Sequence, residues 1–204
     1  MILSPVERDA IAELANIGIS RAARQLSVLL DDEIRIQLPS VTLFDSPSSA
    51  IAALSQNASG DVACVYQRLS GELTGRVALL LPSRDSRALF HSLIGQGAPL
   101  QGVDLRAYEH EAMTEIGNII ISSCVSAMAD MLQRRINVSV PRYAEASIDD
   151  LFEDEAREGQ AALVIHARLK AVRRDTEGVI MLMFSASVAR RILDAMQRLI
   201  GGGA

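Results

Sequence analysis

The stretch AELANIGIS, residues 12–20, determines how this sequence is interpreted, because MTEIGNIII at residues 113–121 follows the same pattern. Both stretches contain Glu-x-x-Asn with a glycine and isoleucines beside it. Glu115 and Asn118 of the second stretch stand 102 residues after the matching residues of the first. A pattern repeated at a fixed spacing indicates that one structural unit occurs twice in the chain.

Two further matches extend the repeat toward the ends of both halves. Pro39 and Pro141 are also separated by 102 residues, and each follows its asparagine after 22 intervening residues. Leu-Ile-Gly occurs at residues 93–95 and again at 199–201, where the spacing has grown to 106. Little other identity links the halves, so the sequence predicts an old duplication.

The repeat predicts a single duplicated domain over residues 1–204, with its halves at residues 1–100 and 101–204. Each half contains about three predicted strands, and so small a sheet leaves an edge and a face uncovered. We therefore expect one continuous sheet with pseudo-two-fold symmetry and the two long helices as a pair. The hydrophobic fraction of 49% against 3% aromatic residues indicates an aliphatic core, which favours helices packed on a sheet.

Hydrophobic periodicity and turn residues predict the same order of elements in both halves. In the first half we predict helices at 5–30, 46–57 and 83–95, a strand at 33–38 that stops at Pro39, and a hairpin at 61–82. In the second half we predict helices at 104–135, 147–159 and 187–202, a strand at 135–141, and a hairpin from 160–172 and 178–186. The apolar residues at helical spacing in the first helix are Ile11, Leu14, Ala15, Ile17, Ala22, Leu26 and Leu29.

The polar residues of the repeated phrase are predicted to share one exposed face of each long helix, because residues three or four apart are neighbours there. These residues are Asp9, Glu13 and Asn16 on the first helix and Glu111, Glu115 and Asn118 on the second. A lone Glu-x-x-Asn would be an ordinary solvated helix face, whereas two copies at one spacing are more specific. Gly18 and Gly117 lie near the asparagines, and each costs about 1 kcal/mol in a helix relative to alanine. We expect something to approach the backbone closely at both glycines.

Composition excludes several classes of protein. The net charge of −5 argues against nucleic acid, whose binding needs clustered Lys and Arg. Cys64 and Cys124 lack metal or redox spacing and are predicted to be reduced core residues. The three histidines lack metal-ligand spacing, so no metal site is expected. No P-loop or Rossmann fingerprint occurs, and we expect no cofactor. The apolar stretch at 178–189 is too short to cross a bilayer, and we predict a cytoplasmic protein that does not act at a membrane.

The pattern acidic-x-x-x-Glu-x-x-Asn, followed 22 residues later by proline, resembles the signature of the CheC/CheX/FliY phosphatases. The resemblance covers the whole chain, and the two-copy layout is most similar to the CheC-like members. It implies a three-layer α/β (α+β) fold with a mainly antiparallel sheet and two long helices that carry two sites. It also implies that the protein dephosphorylates a CheY-like response regulator. CheD is a further partner that the family implies, although no residue here argues for that contact.

The resemblance assigns catalytic roles to Glu13 and Asn16 in the first site and to Glu115 and Asn118 in the second. Each asparagine would place the attacking water, and each glutamate would dock on the lysine of the receiver domain. The Mg²⁺ would be supplied by the receiver. Supporting roles would fall to Asp9 and to Glu111, where the family has Asp or Ser and this chain departs from it.

Three functions from different classes remain open at this point. The first is an aspartyl-phosphate phosphatase, the second is a non-catalytic module that binds or sequesters a phosphorylated regulator, and the third is a structural adaptor. Intact Glu and Asn in both copies favour the first over the third, while kinetics must separate the first from the second. Because Asp9 fits the family pattern, we expect the first site to be at least as active as the second.

Overall fold

The computed structural model describes residues 4–57, 60–72, 75–94, 104–151, 162–173, 176–184, 191–194 and 197–198. Its helices are α1 (Pro5–Leu29), α2 (Pro47–Asn57), α3 (Ser83–Ile94), α4 (Leu105–Leu132) and α5 (Ile148–Leu151). Its strands are β1 (Ile34–Phe44), β2 (Val62–Gly71), β3 (Gly75–Pro82), β4 (Ile136–Val138), β5 (Arg142–Ala146), β6 (Ala162–Ala171) and β7 (Thr176–Phe184). Residues 191–194 and 197–198 are helical, within the helix predicted at 187–202.

Both long helices begin at a side chain that caps their free backbone amides. Ser4 and Glu7 form a reciprocal capping box at α1, in which the Glu7 amide donates to Ser4 Oγ at 3.2 Å and the Ser4 amide donates to Glu7 Oε2 at 2.8 Å. Pro5 occupies the first turn, as the sequence predicts. Asp104 caps α4 by accepting from the amides of Arg106 and Ala107 at 3.0 and 3.3 Å.

One antiparallel sheet contains strands from both halves of the chain. Its order is β1-β6-β7-β3-β2-β4, and β5 pairs with β2 beside β4. Every pair is antiparallel. The first strand of each half therefore lies at an edge, against the hairpin of the other half. From either edge, the order is the first strand of one half followed by the hairpin of the other half, as pseudo-two-fold symmetry requires. The predicted continuous antiparallel sheet is confirmed.

Helices cover both faces of this sheet and make three layers. Alternate strand residues point to opposite faces. On one face, Val65, Leu69, Val77, Leu79, Leu163 and Ile165 form the main core with α1 and α4. On the other face, Val62, Cys64, Ala78, Leu80 and Val164 pack with α2 and α5.

The two long helices run antiparallel to each other. Leu29, at the end of α1, and Ala112, early in α4, line the same groove, while Leu14 and Met128 line a second cavity. A Cβ placed on Gly18 would lie 2.6 Å from Cα of Cys124, far inside contact distance.

Gly117 makes its close approach to the sheet rather than to the other helix. A Cβ there would lie 2.5 Å from Cβ of Val65 on β2. The expected close approach at both glycines is therefore confirmed for Gly18 and Gly117, and the approaching group is this chain itself. Helix packing explains both glycines.

The expectation that Pro39 ends the first strand is wrong. The strand β1 continues through Pro39 to Phe44, with a shift of register between Gln37 and Ser40 in its pairing with β6. Proline lacks the amide that a ladder needs, and it is accommodated at bulges and on edge strands. Both conditions hold here, because β1 is an edge strand. In the second half the predicted strand at 135–141 ends at Val138, and β5 follows Pro141.

Several smaller expectations also change. Ile17 and Leu29 belong to the apolar spacing of α1 but are 37% and 45% exposed, so the buried face of this helix is narrower than the spacing predicts. The predicted short helix at 147–159 is described only as far as Leu151, and Gly95 lies outside the described residues.

The helix α4 is long and apolar enough to cross a membrane by length and composition, which the sequence analysis does not predict. It packs against α1 and the sheet as a core helix.

Candidate active site

The first site lies on the face of α1 that points away from the sheet. Asp9 and Glu13 are exposed and Asn16 is half-buried, as the helical spacing predicts. The Asn16 carboxamide makes no side-chain hydrogen bond to another residue within the described ranges. Its oxygen and its amino group are thus both free to meet a partner from outside.

The second site repeats this pattern of exposure on α4. Glu111 and Glu115 are exposed, and Asn118 is half-buried. The structure thus places each predicted trio on one helix, and the antiparallel packing keeps the two trios in separate sites. Among the described residues, no three His, Cys, Asp or Glu side chains come together as metal ligands.

The Asn118 carboxamide is held by two donors from its own protein. Gln67 Nε2 donates to Asn118 Oδ1 at 3.2 Å, and Ser122 Oγ donates to the same oxygen at 3.3 Å. Gln67 Nε2 also donates to the backbone oxygen of Ser139 at 2.8 Å. Gln67 is only 2% exposed and lies on β2, on the sheet face that α4 covers. The side chain of Asn118 is therefore held by hydrogen bonds within the protein itself.

An open groove of about 940 Å³ borders the second site. Glu111 and Glu115 lie on its α4 wall, and Arg142 and Tyr143 lie on its β5 wall. The His110 ring packs on Tyr143 with 4.6 Å between centroids. Partial burial, followed by the nearby carboxylates, raises the pKa of Tyr143 to about 12, so this phenol stays neutral in the physiological range. The groove can thus present both acidic and hydrogen-bonding groups to a partner.

Sequence reasoning missed Gln67 and Ser122. Gln67 stands 51 positions before Asn118 in a strand that reads as apolar, so no local pattern links them. Ser122 does have a signal, because Ser20 stands four residues after Asn16 just as Ser122 stands four after Asn118. Ser20 is exposed, however, so the repeated serine has the same spacing in the two sites but different surroundings.

Comparison with known proteins agrees with this fold and these helices. The model of the CheC-like family matches residues 6–43 and 111–143, the two segments that contain the repeated phrase and its proline. CheY-P phosphatase CheC of Bacillus subtilis is 27% identical over 146 residues, which are 70% of this chain and 66% of that protein. CheC1 of Halobacterium salinarum is 26% identical over 84% of this chain and 87% of its own length. The chain is thus similar to CheC-like proteins in the two segments that contain the repeated phrase.

A solved structure supports the same architecture. The crystal structure of FliY from Thermotoga maritima superposes with a TM-score of 0.78 and covers 97% of this chain and 99% of that one. Its sequence identity is 21%, so this likeness concerns the fold.

Proposed function

We propose that the protein hydrolyses the aspartyl phosphate of a CheY-like receiver domain. The observation that carries the proposal is the repeated face, in which an exposed Glu precedes a half-buried Asn by three residues, as Glu13 and Asn16 on α1 and as Glu115 and Asn118 on α4. Two relatives at modest identity support it, since the names of both contain CheY-P phosphatase. The third reading, an adaptor, gives no reason for the same polar side chains to be presented twice.

The reaction needs a placed water more than it needs a nucleophile from this protein. Water attacks phosphorus, the bond between phosphorus and the aspartyl oxygen breaks, and the receiver regains its carboxylate while inorganic phosphate leaves. An acyl phosphate is already prone to this reaction, so holding the water in line supplies much of what a catalyst can add. The Mg²⁺ that neutralises the phosphoryl oxygens belongs to the receiver.

Asn16 suits the placing of water because a carboxamide offers both a donor and an acceptor without changing its charge. Asn118, whose oxygen already accepts two bonds, can still donate from its amino group. Glu13 and Glu115 are exposed one turn earlier on the same faces, where each can pair with the lysine of the receiver. Asp9 and Glu111 add negative charge a further turn away. In the second site, the groove beside Glu115 offers room for the docking partner.

The proposed setting is the cytoplasm, with a phosphorylated CheY-like regulator as the partner. Neither nucleic acid nor membrane is part of the proposal, and the protein needs no cofactor of its own. CheD stays a family-based candidate for a second partner.

The decisive experiment follows the decay of a phosphorylated receiver domain with Mg²⁺, with and without this protein. The control is the Asn16→Ala/Asn118→Ala variant, with its fold checked by circular dichroism. Faster decay that disappears in this variant is the expected result.

An unchanged or slowed decay despite measurable binding would overturn the phosphatase assignment. The protein would then be a module that sequesters the regulator, with the asparagines as contact residues. Acceleration that survives in the double variant would leave hydrolysis in place but remove both asparagines from it.

A further inference from the structure

We propose that Gln67 is a positioning residue for Asn118, fixing its carboxamide so that Nδ2 rather than Oδ1 faces the substrate. The inference rests on the proposed phosphatase function and concerns the second site alone. Gln67 does not touch the substrate in this view. It acts through the hydrogen bond that joins β2 to α4.

The orientation of Asn118 follows from an atom whose identity is certain. The backbone oxygen of Ser139 can only accept, and the Gln67 atom 2.8 Å from it must therefore be the amino group Nε2. The other hydrogen of Nε2 points to Asn118 at 3.2 Å. Two amino groups would repel there, so the Asn118 atom that faces Gln67 is Oδ1.

Two donors then occupy the oxygen of Asn118. Ser122 Oγ donates to Oδ1 alongside Gln67, and a carboxamide oxygen has two lone pairs. The amino group Nδ2 is left without a partner among the described residues. In the second site, the asparagine therefore offers a fixed donor, which can hold the water or a phosphoryl oxygen.

Packing alone does not explain a glutamine at this place. Gln67 is 2% exposed, and its Oε1 has no hydrogen-bond partner among the described residues, which is unfavourable for a buried polar atom. The strands β2 and β6 are the first strands of the two hairpins, and both contain the pair Arg-Leu, at residues 68–69 and 168–169. Aligning these pairs places Gln67 opposite Ala167 in the sequence comparison. Ala167 is 3% exposed and belongs to the main core. The fold thus accepts a small apolar residue at the matching place in the other half.

The two sites provide the control for each other. In an Asn16→Ala background only the second site is left, and in an Asn118→Ala background only the first is left. Gln67→Met keeps the length of the side chain and removes its donor, and it is placed in each background. We expect kcat for phosphate loss to fall about 10-fold in the first background, because an amide free to rotate is less often aligned. KM should hold, since Glu115 is untouched.

In the Asn118→Ala background, Gln67→Met should leave kcat unchanged. Equal losses in the two backgrounds would assign Gln67 a structural role and overturn the inference, as would no loss in either. Parent variants that are both inactive would instead mean that the proposed function has failed. That result is distinguishable from a failure of the inference about Gln67, in which the parent variants are active.

A second pair of variants tests the same orientation without disturbing the core. Ser122→Ala removes the other donor to Asn118 Oδ1, whereas Ser20→Ala changes the exposed serine at the matching place in the first site. Each is measured in the background that retains its own site. A fall of kcat for Ser122→Ala but not for Ser20→Ala is expected. Equal responses would contradict a held amide in the second site.

Discussion

Asn16 and Asn118 occupy matching places on two antiparallel helices, yet their carboxamides have different surroundings. Asn118 is hydrogen-bonded to the sheet through Gln67 and to its own helix through Ser122. Asn16 has no such bond among the described residues, and the strand position that matches Gln67 is Ala167. The comparison shows that a surface pattern can occur twice with the same polar groups while the layer beneath them differs.

The largest expected effect concerns the two thiols, one at the contact between the long helices and one on the sheet face that α2 and α5 cover. Burial raises the pKa of Cys124, at the α1–α4 contact, and of Cys64, on β2, to about 12 from 9.0. At pH 8 the thiolate fraction should be about 1000-fold lower in the native state than in urea, and labelling by a thiol reagent should slow accordingly. Single-thiol variants separate the two rates. Fast native labelling of Cys124 alone would show that the helix pair opens.

The same raised pKa values set the sign of a pH effect on stability. The folded thiols keep their protons to a higher pH than the unfolded ones, so their stabilising contribution is complete below pH 9.0 and is lost as the pH rises toward 12. The free energy of unfolding should decline over that range. A Cys64→Ala/Cys124→Ala variant should show a weaker decline.

The next effect distinguishes the two glycines. In an open helix, changing glycine to alanine would stabilise by about 1 kcal/mol, but here a Cβ on Gly18 would meet the α4 backbone 2.6 Å away. We expect Gly18→Ala to destabilise by about 3 kcal/mol in urea unfolding, because the helices must move apart. Gly117→Ala should also destabilise, since its new atom would meet the Val65 side chain.

A second substitution at the contacting residue tests whether the obstacle at each glycine is a side chain or the backbone. Val65→Ala should relieve part of the penalty of Gly117→Ala, giving a favourable coupling of about 1 kcal/mol in a double-mutant cycle. Cys124→Ala should not relieve Gly18→Ala, because the obstacle there is Cα. Relief of both glycine variants by their partners would mean that the helix contact adapts as easily as the sheet contact.

A smaller effect is expected where the two long helices begin. Removing either cap, by Ser4→Ala or Asp104→Ala, should cost about 1 kcal/mol. Bonds from Gln197 first, and then from Ser4, lower the pKa of Glu7, so the contribution of Glu7 is present above pH 4.5 and is lost as the pH falls below that value. Urea unfolding at pH 7 and pH 3 measures this loss, and a Glu7→Gln variant should not show it.

The smallest expected effect is the loss of one site at a time. If the sites act independently, Asn16→Ala should reduce phosphatase activity about two-fold or slightly more, and Asn118→Ala by no more than that. The first site is expected to be at least as active because Asp9 fits the family pattern, whereas Glu111 departs from it. A larger loss from Asn118→Ala would show that the held amide outweighs this difference.

Much of the fold could be predicted because its signals are local. The capping box at Ser4, the helical spacing of α1 and the hairpin of β2 and β3 all lie within short stretches. The prediction that Pro39 ends the first strand is wrong because proline is tolerated there only when β1 is an edge strand with a shifted register, which is a property of the assembled sheet. The exposure of Ile17 likewise depends on where α4 lies.

The candidate site divides in the same way. The faces with Glu13 and Asn16, and with Glu115 and Asn118, could be predicted from helical geometry and a repeated spacing. The anchor of Asn118 could not, because Gln67 reaches it only after β2 has packed under α4. That the two halves arose by duplication, and that both sites act, stay predictions.

The exchange of edge strands has a consequence for how the chain is made. Ile34 of β1 pairs with Ala171 of β6, so a ribosome must complete most of the protein before the first strand finds its neighbour. Contacts so distant in sequence slow folding, because a long loop must close before they are gained. Until β6 has been synthesised, the backbone hydrogen-bonding groups of β1 have no strand to pair with. A nascent chain that stalls beyond β3 would therefore expose an unpaired, aggregation-prone strand edge, and we would expect chaperones to bind there.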